Sequence, residues 1–403
     1  MGAYRFDDGR LVSIRRSAGK TVRARFYESG TSRRLYPQGD LEFVTGPGFA
    51  VSEPTEAVVE FERAEGGAVE RLRWKQDSES RSAQRVNRRE SVQFESDGVV
   101  LSGRLDLPDS PDHPTRAAVV LVHGSGADAA TDFFHAGDFL AAHGIATLTY
   151  DKRGTGGSQG EFTFDFRQLA RDAVAAVEYL SSRPDLSEAR IGLSGYSQGA
   201  WVAPLAASLT GRIRFVVVSF GLVASPVEEA RVETRNLLRR HGVPEEDLAE
   251  VDELTLASVE VVASGFRDGW DELERAKKKY RRAYWLKHLR GTTVGRFARL
   301  PGWLIRWVGP RLAPKGLPWH YDSTDVLEGL EVPTTWLLAE KDASAPIELA
   351  LPMLERLQAR GKPIDVRVFP DADHAMLLLP DGYAPGYFQA EVDAVKRLAS
   401  AGD

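Results

Sequence analysis

The pentapeptide Gly195-Tyr196-Ser197-Gln198-Gly199 lies between a short apolar run, Arg190–Ser194, and a helix-like run, Ala200–Leu209. Glycines flank the serine because a turn this tight has no room for side chains on either side. Such a turn carries meaning between a strand and a helix, where it leaves the hydroxyl exposed. Taken alone, the pentapeptide reads equally well as a helix N-cap serine with glycines for packing. The surrounding chain supplies the strand and helix context. Ala117–Val122 is continuously apolar, as in a strand covered on both faces. A helical segment over 133–143, a strand at Ile145–Tyr150 and a helix at Phe166–Ser181 follow, the last with Leu169, Ala173, Val177 and Leu180 on one stripe. Further strands are predicted at Phe215–Phe220, Thr334–Leu338 and Asp365–Phe369, and a helix at Tyr387–Leu398. This alternation predicts an α/β fold with a mostly parallel central sheet flanked by helices.

Two stretches depart from that rhythm. Residues 1–88 alternate with period two, as in Leu11–Arg15, Val22–Tyr27 and Val69–Trp74, with Asp8-Gly9, Ser29-Gly30 and Gly66-Gly67 as turns. They predict a small N-terminal antiparallel β domain. The polar stretch Gln76–Arg89 has almost nothing apolar to bury and reads as a linker. Residues 223–325 read as charged amphipathic helices, Val227–His241, Glu245–Ser264 and Trp270–Arg290, inserted between residues 89–222 and 326–403 of the α/β unit. A helical insertion at such a place is the usual form of a lid.

A serine nucleophile needs a base, and the base needs an orienting acid. Asp342 lies just past the strand Thr334–Leu338, and His374 lies on the loop after Asp365–Phe369. The order Ser197, Asp342, His374 is the chain order of a serine–aspartate–histidine triad on a sheet of this kind. Asp371 and Asp373 are alternative acids, but both are close to His374 in sequence, which makes a poor orienting geometry. His113, His135, His143, His241, His288 and His320 follow no late core strand and read as surface groups. His123-Gly124-Ser125-Gly126 follows Ala117–Val122 directly. There the backbone N–H of Ser125 would join that of Gln198 as an oxyanion hole. A rival reading exists at this place. Gly124-Ser125-Gly126-Ala127-Asp128-Ala129 also matches a glycine fingerprint for dinucleotides, with Asp151 where a ribose-binding acid would fall. Arg153, in the loop after Asp151, reads as a brace for that loop or as a clamp for an anionic substrate.

Composition closes several other routes. Fifty-two basic against 58 acidic residues give a net charge of −6, which offers no general case for nucleic acid. Without cysteine there is no disulfide, thiolate nucleophile or cysteine-bound metal. No spacing suits a metal site, no Walker loop occurs, and no cofactor is implied. No apolar run approaches the roughly 20 residues of a membrane span. The first residues lack the apolar stretch of a secretion signal, so a cytoplasmic location is expected, although a mature secreted chain would read the same way.

From residue 90 onward the chain resembles the α/β-hydrolase superfamily, in its esterase branch related to dienelactone hydrolases and acylaminoacyl peptidases. The segments that carry the resemblance are Leu121–Gly126, Tyr150–Ser158, Gly195–Trp201 and Ala372–His374. The resemblance implies Ser197 as nucleophile, His374 as base, Asp342 as acid, and Ser125 and Gln198 as oxyanion donors. It implies a small-molecule ester as substrate. Amide, peptide, thioester and lactone hydrolysis or acyl transfer would use the same triad, and a non-catalytic binding protein on this scaffold is a further alternative. A homodimer is compatible with the sequence. Within the insertion, Lys277–Arg282 is basic and reads first as a solvated helix face, with Trp303 and Trp307 packed on the core; the sharper reading is a cap over Ser197 in which Trp303 and Trp307 line an apolar acyl pocket. Docking of this segment on a membrane surface is a weaker variant.

Overall fold

Alternation of buried and exposed side chains gives each short N-terminal strand one apolar face, and eight such strands bury those faces by curling on themselves. In the computed structural model, which describes residues 1–17, 21–109 and 115–401, β1 (Gly2–Phe6), β2 (Leu11–Arg16), β3 (Val22–Phe26), β4 (Ser32–Pro37), β5 (Glu42–Thr45), β6 (Ala57–Arg63), β7 (Val69–Gln76) and β8 (Glu79–Arg85) form a closed antiparallel barrel. Its interior holds Tyr4, Phe6, Val12, Ile14, Leu35, Val59, Leu72 and Trp74. The segment expected as a linker is therefore in large part β8, which pairs with β7 and with β1 and closes the barrel. It looked like a linker because Ala83 is its one fully buried side chain. A strand bonded on both edges needs little apolar content of its own.

The chain then builds an eight-stranded sheet from β9 (Asn87–Ser96), β10 (Val99–Pro108), β11 (Ala117–Val122), β12 (Ile145–Tyr150), β13 (Arg190–Tyr196), β14 (Val216–Ser219), β15 (Thr334–Ala339) and β16 (Ile364–Phe369). The order across the sheet is β16-β15-β14-β13-β11-β12-β10-β9. Pairing is parallel from β16 to β12 and antiparallel at β10 and β9. The helices are α1 (Ala130–Phe133), α2 (Ala136–Ala142), α3 (Phe166–Ser181), α4 (Gly199–Leu209), α5 (Pro226–Arg240), α6 (Leu248–Ala263), α7 (Trp270–Tyr280), α8 (Thr293–Arg299), α9 (Gly302–Leu312), α10 (Thr324–Gly329), α11 (Leu351–Ala359) and α12 (Tyr387–Ser400). Helices α5 to α9 leave the sheet after β14 and return before β15. They carry their own core, built on Leu238, Leu254, Trp270, Leu273, Trp285 and Phe297. Trp303 and Trp307 do not join it; they are 70% and 64% exposed. The basic run beside them is partly neutralised, Lys277 by Glu274 and Lys279 by Glu253.

The barrel is welded to the sheet by charge. Ser13 and Arg15 on β2 reach the carboxylate of Asp138 on α2, at 2.7 Å for the hydroxyl and 2.5–2.8 Å for the guanidinium, in full burial. Arg89 on β9 bridges Asp138 and Asp106, and Arg104 closes on Asp106. These cations hold the Asp138 carboxyl far below the usual carboxylate range against the cost of its burial. Beside this cluster, Leu11 and Tyr27 of the barrel pack into the core of the sheet.

Candidate active site

The turn after β13 forces Ser197 into the left-handed region, with φ of 53°. A non-glycine residue persists there only where its surroundings over-determine it. Here they do. The Ser197 N–H donates to Ser219 O at 3.1 Å, and Ser197 O accepts from Ala200 N–H at 2.8 Å. A Cβ at Gly195 would lie 2.4 Å from Gly199 O, and one at Gly199 would lie 2.3 Å from Val122 O. Both glycines are therefore required by close approach, as the sequence pattern implied. Gln198 opens α4, so its backbone N–H sits among the unsatisfied donors of a helix N-terminus. The loop after β11 runs against the same turn, because a Cβ at Gly124 would stand 3.2 Å from Ser197 Cβ. Ser125 is on that loop and exposed.

Asp342 follows β15 and is buried, while His374 follows β16 and is half-buried. His374 Nδ1 faces both carboxylate oxygens of Asp342, at 3.0 and 2.9 Å. The carboxylate also accepts from the N–H groups of Ser344 and Ala345 at 2.9 and 2.7 Å, which fixes its orientation. The alternative acids are occupied elsewhere. Asp371 pairs with Lys341, and Asp373 accepts from the backbone N–H of His374. Since Nδ1 is committed to Asp342, Nε2 is the ring nitrogen left for proton transfer. The Phe220 ring stands edge-on to His374 with centroids 5.2 Å apart, and its centroid is 5.9 Å from that of Tyr196.

Asp151 does not await a ribose. Its carboxylate accepts from the N–H and hydroxyl of Thr131 at 2.9 and 2.8 Å and from Gly157 N–H at 3.0 Å, closing the loop after β12 on itself and tying it to α1. Arg153 turns away from the site and pairs with buried Asp172 on α3. The His135 ring, expected at the surface, and the ring of His123 are both desolvated, which holds them well below the usual imidazole range. His113 lies outside the described residues.

Three side chains at the site escaped the motif reading. The Lys152 ammonium donates to Gly124 O at 2.6 Å and to the Gln198 side-chain carbonyl at 2.7 Å, and burial pushes it down to about 7. Glu391 on α12 supports the turn from beneath, accepting from Ser194 at 2.8 Å and from Tyr196; burial pushes its carboxyl up. Glu229 on α5 is pushed up to about 8 by burial and by the charges of Glu233 and Asp342. Glu229 and Glu233 line a cavity of about 430 Å³ that reaches Ala343 and Ser344, beside Asp342. An acid on the buried stripe of α12 was a readable signal for Glu391. Trp303 and Trp307 are absent from the lining of this cavity, which the insertion lines with α5, α6 and α8 and not with α9.

The model of the Alpha/beta hydrolase family matches residues 119–385. Among curated proteins, the polyketide transferase claH of Penicillium crustosum is 32% identical over 143 residues, which is 35% of this chain and 46% of that protein. The thiohydrolase apmlB of Arthrinium phaeospermum is 32% identical over 134 residues, 32% of this chain and 41% of that protein. The matched stretch thus spans less than half the length of either relative. Among solved structures, acylaminoacyl peptidase from Pyrococcus horikoshii aligns over 98% of this chain and 57% of its own, at TM-score 0.51 and 13% identity. Esterase Pf2001 from Pyrococcus furiosus aligns over 77% of this chain and 91% of its own, at TM-score 0.48 and 18% identity.

Proposed function

Because this chain belongs to the alpha/beta hydrolase family, we propose that it is a serine hydrolase that cleaves a carboxylic ester of a small molecule through an acyl-enzyme. The observation that carries this reading is the buried Asp342 carboxylate aimed at His374 Nδ1, after β15 and β16 of the same sheet whose β13 ends in the strained turn of Ser197, with β14 between them. Ser197 Oγ attacks the ester carbonyl while His374 Nε2 takes its proton. Asp342 holds the tautomer and stabilises the imidazolium. The backbone N–H groups of Ser125 and Gln198 receive the oxyanion, the alcohol leaves with the proton from His374, and water repeats the sequence to release the acid. Helices α5 to α9 serve as a cap, with Glu229 and Glu233 on its inner side, and the barrel is an accessory domain. Thioester cleavage is the second reading, favoured by the thiohydrolase among the similar proteins.

A fluorophosphonate probe should label the wild-type chain stoichiometrically and leave Ser197→Ala unlabelled. Hydrolysis of a 4-nitrophenyl ester should vanish in Ser197→Ala and His374→Ala and fall by about 10⁴ in Asp342→Asn. Labelling of Ser197→Ala at the wild-type level would remove the reading.

A further inference from the structure

A second cavity, of about 400 Å³, lies on the barrel side of the site. Tyr196, Phe220 and Ala375 line it, and these residues adjoin Ser197 and His374. Its opposite wall comes from the barrel and includes Arg23, Arg25 and Phe49. Arg25 is 3% exposed; its Nε donates to the Tyr383 hydroxyl at 3.3 Å, while its Nη1 has no hydrogen-bond partner among the described residues. Arg23 lies over the Phe49 ring at 3.6 Å and donates to Phe49 O. Neither guanidinium meets a carboxylate among the described residues. Elsewhere the chain pairs its buried arginines: Arg15 with Asp138, Arg104 with Asp106, Arg153 with Asp172.

A buried cation without a counter-ion is costly, and a site that holds one is built to receive an anion. Among the described residues no internal group of the cavity serves. Glu391 is the carboxyl on its lining, and it is engaged by Ser194 and Tyr196, with burial favouring its protonated form. His135 in the same wall is held neutral by burial and by Arg25. The cavity beside Asp342 carries Glu229 and Glu233, and its cation there is Arg240. Aromatic rings between the guanidinium groups and the triad suit an apolar spacer.

The geometry points to a carboxylate-binding pocket formed by Arg23 and Arg25 of the barrel, which selects esters carrying a free carboxylate on an apolar portion. This rests on the ester-hydrolase reading for the reacting bond, and on the barrel for selectivity. The planar fork of arginine matches a carboxylate.

The test separates binding from turnover. Calorimetry with two anilides that have no ester bond, N-phenylglutaramate and neutral N-phenylvaleramide, should show at least about tenfold tighter binding of the carboxylate to the wild-type chain. Arg25→Gln should bring the two to parity and Arg25→Lys should restore part of the difference. The ratio of kcat/KM for 4-nitrophenyl hydrogen glutarate over 4-nitrophenyl valerate should fall about 10- to 100-fold in Arg25→Gln. Arg23→Gln, at the edge of the pocket, gives a second variant should Arg25→Gln not fold. Equal binding of the two anilides by the wild-type chain would overturn the proposal, as would an equal loss of both in either variant. Carboxylate-selective binding with no turnover of either ester would uphold the pocket and remove the hydrolase reading instead.

Discussion

The ammonium of Lys152 holds two loops at once, the one after β11 through Gly124 O and the nucleophile turn through Gln198. Both loops carry a proposed oxyanion donor, so the lysine sets the spacing between those donors without touching the reacting atoms. Lys152→Met should lower kcat about 10- to 100-fold with little change in KM, since the donors matter most when charge develops on the oxygen. The ammonium, pushed down from 10.5 to about 7, also leaves a signature in stability. Between those values the unfolded chain binds more protons than the folded one, so unfolding free energy rises with pH from about 7 towards 10.5. Lys152→Met should remove that rise, as read by denaturant titrations across the interval. Ser197, Asp342 and His374 were legible because each sits at a fixed place after a strand, and strands announce themselves by local apolar runs. Lys152 was not, because its partners lie 28 and 46 residues away, and its position records no local periodicity.

At the scale of elements, amphipathic spacing located the inserted helices but not which tryptophans point inward. Trp285 is 1% exposed within the core of the insertion, whereas Trp303 and Trp307 stand on the outer side of α9. Trp285→Ala should cost about 3–5 kcal/mol of stability. Trp303→Ser and Trp307→Ser should each change it by about 0.5 kcal/mol or less. Thermal melts of the three variants check the contrast, and equal losses would place α9 inside the packing. The two antiparallel strands β9 and β10 carried a weak signal for a different reason. One face of β9 meets water, so its apolar residues are few, Val92 and Phe94. Likewise β8 has bonding partners on both edges and few apolar side chains, and partners of that kind are set by tertiary pairing, which no short window of sequence contains.

For the whole molecule, the buried cluster around Asp138 decides whether barrel and sheet act as one body. Removing one member leaves an uncompensated charge, so Asp138→Asn should destabilise the protein by about 3–5 kcal/mol. The sign with pH follows from the depressed carboxyl. Its stabilisation is complete above the unfolded value near 4 and is lost as pH falls below it. The acid limb of an unfolding profile should therefore be shallower in Asp138→Asn than in the wild-type chain. The interface itself was not visible in the alternation of the first 88 residues, because Ser13 and Arg15 alternate like any polar face of a strand until α2 covers them. The insertion has the opposite relation to its surroundings. It leaves at Ser219 and returns at Thr334, on strands held side by side, and it carries its own core. Closure entropy grows only with the logarithm of loop length, about 0.6 kcal/mol per doubling. The sheet is thus nearly indifferent to what is strung between those two points. Evolution can exchange the whole excursion, and with it the acidic wall of the site, as one cassette while the serine, the aspartate and the histidine keep their places.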